Sequence, residues 1–94
     1  MVVGVCRVEL RLPGNGSLKE KRQTVKSMLA RLHKEYNVGI AEVGHQDVWQ
    51  GAILGIVAVS VDADYVHGLL TRVVQTIENG HWAVEVLDYA IELV

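Results

Sequence analysis

Between Asp62 and Gly80 the residues Val66, Leu69, Leu70, Val73, Val74 and Ile77 fall at i, i+3, i+4, i+7, i+8 and i+11 without exception. A helix with so continuous an apolar stripe must lie against something. Asp62 or Asp64 can cap its start, and Asn79 and Gly80 stop it. A second helix is as well marked. Ser17 and Glu20 form an S-x-x-E capping box, in which hydroxyl and carboxylate each satisfy an unpaired backbone N–H. Leu18, Val25, Met28, Leu29, Leu32 and Tyr36 follow at helical spacing, and Asn37 and Gly39 close the helix. Two one-sided helices in 94 residues need a common platform.

The rest of the chain supplies it as strands. From Met1 to Leu12, Cys6, Val8, Leu10 and Leu12 alternate with Arg7, Glu9 and Arg11, while Val3 and Val5 lie on the side of the charged residues. Pro13, Gly14, Asn15 and Gly16 end this strand. Val38 to Val43 reads as a second strand, Gly44 to Gly51 as a polar hairpin connection, and Ala52 to Val61, apolar on both sides, as a covered central strand. In a last strand from about His81 to Val94, Trp82, Val84 and Val86 share one side and Leu87, Tyr89, Ile91 and Leu93 the other. That change of phase predicts a β-bulge or bend near Leu87. The order β-α-β-β-α-β predicts an α+β ferredoxin-like sandwich over residues 1–94 as one domain: a four-stranded antiparallel sheet, both helices on one face, strands one and three central. The other face, with Val3, Val5 and the third strand, would be bare and apolar, which predicts a homodimer or higher oligomer.

Half of the residues are hydrophobic and 21% are charged, a composition for an ordered globule. No apolar run approaches the roughly 20 residues needed to cross a bilayer, and the first residues lack the pattern of a signal peptide, so a soluble, cytoplasmic protein is expected. The lone Cys6 lies among valines, where a buried, inert thiol is expected. Charge is divided unevenly. Residues 1–36 hold eight Lys/Arg against three acids, a net of +5, whereas residues 37–94 hold Arg72 against eight acids, a net of −7. Such polarity suits an anionic partner for one face, or head-to-tail complementarity between copies.

Glycine and asparagine at Gly14, Asn15 and Gly16, then Ser17 at a helix start with Lys19 and Arg22 close behind, could hold a phosphate, although the stretch satisfies neither a Walker loop nor a dinucleotide fingerprint and also reads as an ordinary capped turn. Arg11, Gly16, Ser17, Lys19, Lys21, Arg22, Lys26 and Lys34 form the candidate anion or nucleic-acid track, with His33 beside it; solvated helix charge is the competing reading. Glu42, His45, Asp47, Trp49 and Gln50 form a second candidate group, for a ligand or an interaction, although a hairpin tip whose Trp packs over a sheet edge is the simpler account. Phenylalanine is absent and strands one and three carry no Tyr or Trp, which argues against base stacking on the sheet. No catalytic constellation, metal-ligand spacing or cofactor motif emerges; the histidines at 33, 45, 67 and 81 lack ligand spacing.

The blocks SLKEKR at 17–22, AEVG at 41–44 and DVWQGAILGIVAVS at 47–60, with the acidic final strand, resemble the YlxP-like proteins, small bacterial proteins of unknown function. The resemblance covers essentially the whole chain. It implies a ferredoxin-like fold and a cytoplasmic protein often encoded beside genes for translation initiation and ribosome maturation, and it brings no catalytic residues. The leading expectation is a non-enzymatic RNA- or ribosome-associated protein acting through its basic first helix. The alternatives are a ligand-binding regulatory domain with a site at a subunit boundary near residues 42–50, and an acylphosphatase-like phosphate enzyme, whose G-x-V-Q-G-V-x-[FY]-R signature is missing.

Overall fold

The computed structural model describes residues 1–94. Its elements are β1 (Val2–Arg11), α1 (Leu18–Glu35), β2 (Gly39–Gly44), β3 (Gly51–Ser60), α2 (Ala63–Asn79) and β4 (Glu85–Leu93). The expected order is therefore realised. The strands form one antiparallel sheet in the order β2-β3-β1-β4, with β1 and β3 central, as in a ferredoxin-like sandwich.

Strand pairing follows the side-chain alternation. β1 and β3 run in unbroken register from Val2 opposite Ser60 to Arg11 opposite Gly51. That register puts Cys6, Val8 and Leu10 beside Ile56, Leu54 and Ala52 on the face that the helices cover. The stripe of α2 is wholly buried there, together with Val25, Met28 and Leu32 of α1. Burial pushes the Cys6 thiol up to about 11, so it stays protonated and unreactive near neutral pH.

The phase change in the last strand resolves as expected. Glu9 pairs with Asp88 and Leu10 with Val86, leaving Leu87 as the extra residue of a bulge. Val86 and Ile91 thereby both reach the core despite their opposite parity. The strand itself begins at Glu85; Trp82 and Val84 precede it and still pack against the core.

Both helix starts are capped. The Glu20 N–H donates to Ser17 Oγ at 3.1 Å, and the Asp64 N–H donates to Asp62 Oδ1 at 3.0 Å. In the capping box the Glu20 carboxylate reaches one residue further back than the usual arrangement, accepting from the Gly16 N–H at 3.0 Å.

On the other sheet face the apolar patch is present. Val5, Val57 and Val59 are 38%, 45% and 59% exposed, and the register pairs Val5 with Val57 and Val3 with Val59.

Gly4 sets the distance between sheet and α2. A Cβ there would lie 2.8 Å from Leu70 Cδ1 and closer still to Val66 Cγ1, both in buried side chains. Gly4→Ala should therefore destabilise the fold by about 1–3 kcal/mol through overpacking. Gly68→Ala, on a part of α2 with open space around it, should instead stabilise by roughly 0.5–1 kcal/mol from helix propensity. Urea denaturation of the two variants should give midpoint shifts of opposite sign.

Candidate functional site

The first turn of α1 carries the clearest departure from the sequence reading. Lys21 does not face solvent: it is the one charged residue that is fully buried. It sits three residues after Leu18 and four before Val25, on the apolar side of the helix. Its ammonium forms an ion pair with Glu42 Oε2 at 2.9 Å and donates hydrogen bonds to the carbonyls of His45 and Val48, the latter at 2.8 Å, with Gln46 O further off at 3.4 Å. Glu42 Oε2 is buried and has no aligned hydrogen bond. Proximity to the ammonium, at 2.9 Å, makes that contact an ion pair and leaves the donor directions to the carbonyls. Lys21 is thus a structural clamp and no phosphate contact.

Gly16 and Ser17 are also occupied internally. The Gly16 N–H and Ser17 Oγ are bound within the cap, and the Glu20 carboxylate stands where a phosphate would have to approach. Of the two readings of this turn the arrangement favours the ordinary capped turn, since an anion approaching the Gly16 N–H would meet the like charge of Glu20. Asn15 points elsewhere, donating from Nδ2 to Ser17 O at 2.8 Å and to Trp49 O at 2.7 Å.

Four candidates remain together. Lys19, Arg22, Lys26 and Lys34 are exposed on the solvent side of α1 with no carboxylate within ion-pair distance, and exposed His33 lies among them. The two acids of the helix are engaged locally. Glu20 closes the cap, and Glu35 accepts from Arg31 Nε at 2.9 Å. Arg11 is exposed but belongs to the opposite side of the sheet, because it alternates with the buried Leu10 and Leu12.

The second group is split. Glu42 lies opposite buried Leu54 and meets Lys21 on the helix side. His45, with the left-handed φ of 59°, turns to the other side, its Nε2 3.7 Å from Glu9 Oε2. Asp47 is exposed, Trp49 is 54% exposed with its carbonyl held by Asn15, and Gln50 Nε2 donates to Asn15 O at 3.3 Å. These five residues do not converge on one pocket.

One constellation lacks a mark in the sequence. A polar cleft of about 310 Å³ between α1 and α2 is lined by Arg31, Arg72, Gln75, Asn79 and His81, with Tyr36 and Thr76 at its base. Only spatial proximity unites these positions.

Comparison with known proteins agrees with this architecture. A family model described as "Protein of unknown function (DUF503)" matches residues 3–91. "Uncharacterized protein YlxP" of Bacillus subtilis (strain 168) is 38% identical over 78 residues, covering 83% of this chain and 85% of that protein. Among solved structures, the de novo designed protein Foldit4 matches 98% of this chain and 96% of its own, with a TM-score of 0.55 at 15% identity. That last likeness speaks for the fold alone.

Removing the clamp gives a direct test of its role. Lys21→Met strands a buried carboxylate and should destabilise the protein by about 3–5 kcal/mol. Adding Glu42→Leu should recover much of that loss, and a double-mutant cycle in urea would measure the coupling.

Proposed function

From the membership of this chain in the DUF503 family, to which it belongs, we propose that it is a non-enzymatic, cytoplasmic binding protein that engages structured RNA, free or in a ribosomal particle, through the exposed flank of α1. The observation that carries this reading is the row Lys19, Arg22, Lys26 and Lys34, four unpaired cations on a chain of net charge −2. Attraction to nucleic-acid phosphates is chiefly electrostatic and asks for unpaired, solvent-exposed cations in a line. From Lys19 to Lys34 the helix rises about 22 Å, enough to follow several consecutive phosphates. The resemblance to proteins encoded beside translation genes points the same way by association.

A second copy of the chain is the proposed cover for the open sheet face. A ridge of exposed Val57 and Val59 beside an apolar trough lined by Gly39, Ala41, Val43 and Gly55 supports this reading. Related by a two-fold axis, each copy can seat its ridge in the trough of the other.

Charge reversal of Lys19, Arg22 and Lys26 together should remove RNA binding while leaving circular dichroism and melting nearly unchanged. For the wild type, log K should fall with log salt by about 0.7–0.9 per phosphate contact. Unchanged affinity in the triple variant, or binding indifferent to salt, would sink the assignment. Light scattering at high micromolar concentration should give about twice the 10.4 kDa chain mass, and Val57→Glu should return the protein to the single-chain mass. A wild-type monomer there would remove the dimer.

A further inference from the structure

The cleft at the C-terminal ends of α1 and α2 is distinct from the α1 flank and shares none of its four cations. Its composition is unusual for this molecule. Arg72 is the only Lys or Arg among residues 37–94, and it has no carboxylate within ion-pair distance. It lines the same cleft as Arg31, with His81 beside them and no Asp or Glu among the lining residues. Arg72 is unpaired and Arg31 is paired only through its Nε, so two arginines lining one cleft that no acid lines leave positive charge there for an anion.

The cleft is also held in shape. Arg31 is fixed twice: Nε donates to Glu35 at 2.9 Å, and the guanidinium lies 5.4 Å from the Trp82 ring centroid. These contacts leave the terminal N–H groups of Arg31 available. Gly80 makes the Trp82 position possible, since a Cβ there would lie 2.5 Å from the ring. At the base, Thr76 Oγ1 donates to Arg72 O at 2.9 Å, so the Tyr36 hydroxyl is the donor in its 2.6 Å bond with Thr76 Oγ1. That bond ties the end of α1 to α2. Glu35 and the last carbonyls of α2 oppose an anion in part, which makes both guanidinium groups necessary.

We propose that this cleft binds a phosphate monoester, with Arg31 and Arg72 gripping the phosphate oxygens and Gln75 and Asn79 hydrogen-bonding the body attached to it. A volume of about 310 Å³ exceeds that of a bare oxyanion and suits a group the size of a nucleoside. The phosphate can come from a free nucleotide or from the 5′ end of an RNA. This assignment stands apart from the α1 reading.

Amide and arginine Nε resonances should be followed by NMR during separate titrations with inorganic phosphate, adenosine 5′-monophosphate and a short 5′-phosphorylated oligoribonucleotide. Gly80, His81 and the Nε of Arg31 and Arg72 should shift saturably, and the probe that saturates first identifies the source. Arg72→Gln changes an exposed position outside the core, and it should weaken binding by at least about tenfold through loss of a charged, forked donor. Charge reversal of Lys19, Arg22 and Lys26 should leave the inorganic phosphate titration unchanged. Absence of saturable shifts with all three probes, or shifts of equal strength in Arg72→Gln, would overturn the proposal.

Discussion

The buried ammonium of Lys21 is the contact on which one whole end of the molecule depends. A charge taken out of water is tolerated only if its partners are in place. Here they come from the far side of the hairpin: the Glu42 carboxylate and the carbonyls of His45 and Val48. Residues 45–50 are all exposed and bring no side chain to the core. Their path is set by Lys21 and by the Asn15 amide on Trp49 O. A connection that could have been a loose loop is thereby tied to the first turn of α1 and to the turn before it. The capping box, the clamp and the hairpin form one assembly.

The same helix sorts its charges by direction. Lys21 turns inward, Glu20 and Glu35 are held by local partners, and Lys19, Arg22, Lys26 and Lys34 are left outward and unpaired. A net charge of −2 for the chain conceals this entirely. The positive surface of α1 results from which acids are occupied as much as from how many bases are present.

Much of the architecture was legible in the sequence because it rests on periodicity. The stripe from Val66 to Ile77, the alternation of β1 and the phase change at Leu87 each map onto an observed element or bulge. Lys21 departs from the solvent position that a lysine takes by default, although its spacing from Leu18 and Val25 puts it in the stripe. The signal was there, and the partner that overrides the default was not: Glu42 is remote in sequence, and loop carbonyls leave no trace in residue types. At Gly16 and Ser17 residue type alone is likewise insufficient, since the reach of the Glu20 side chain decides whether the Gly16 N–H is free. The group from Glu42 to Gln50 is dense in functional residue types only in linear order. The bulge after Glu42 and the left-handed His45 send its members to different sides. Arg31, Arg72 and His81 present the reverse case, being far apart in sequence and adjacent only once α1 and α2 have packed.

Both edge strands of the sheet are interrupted. β4 carries its bulge at Leu87, and β2 is only six residues long, with its register shifting between Glu42 and Gly44. An uninterrupted, flat edge would offer its free N–H and C=O groups as a template for the next chain. Here neither margin presents one, and β4 adds Glu85, Asp88 and Glu92 along its length. Open-ended growth by strand addition is therefore disfavoured at both margins, and the exposed valines of the sheet face are kept apart from any edge that could extend the sheet into a fibre.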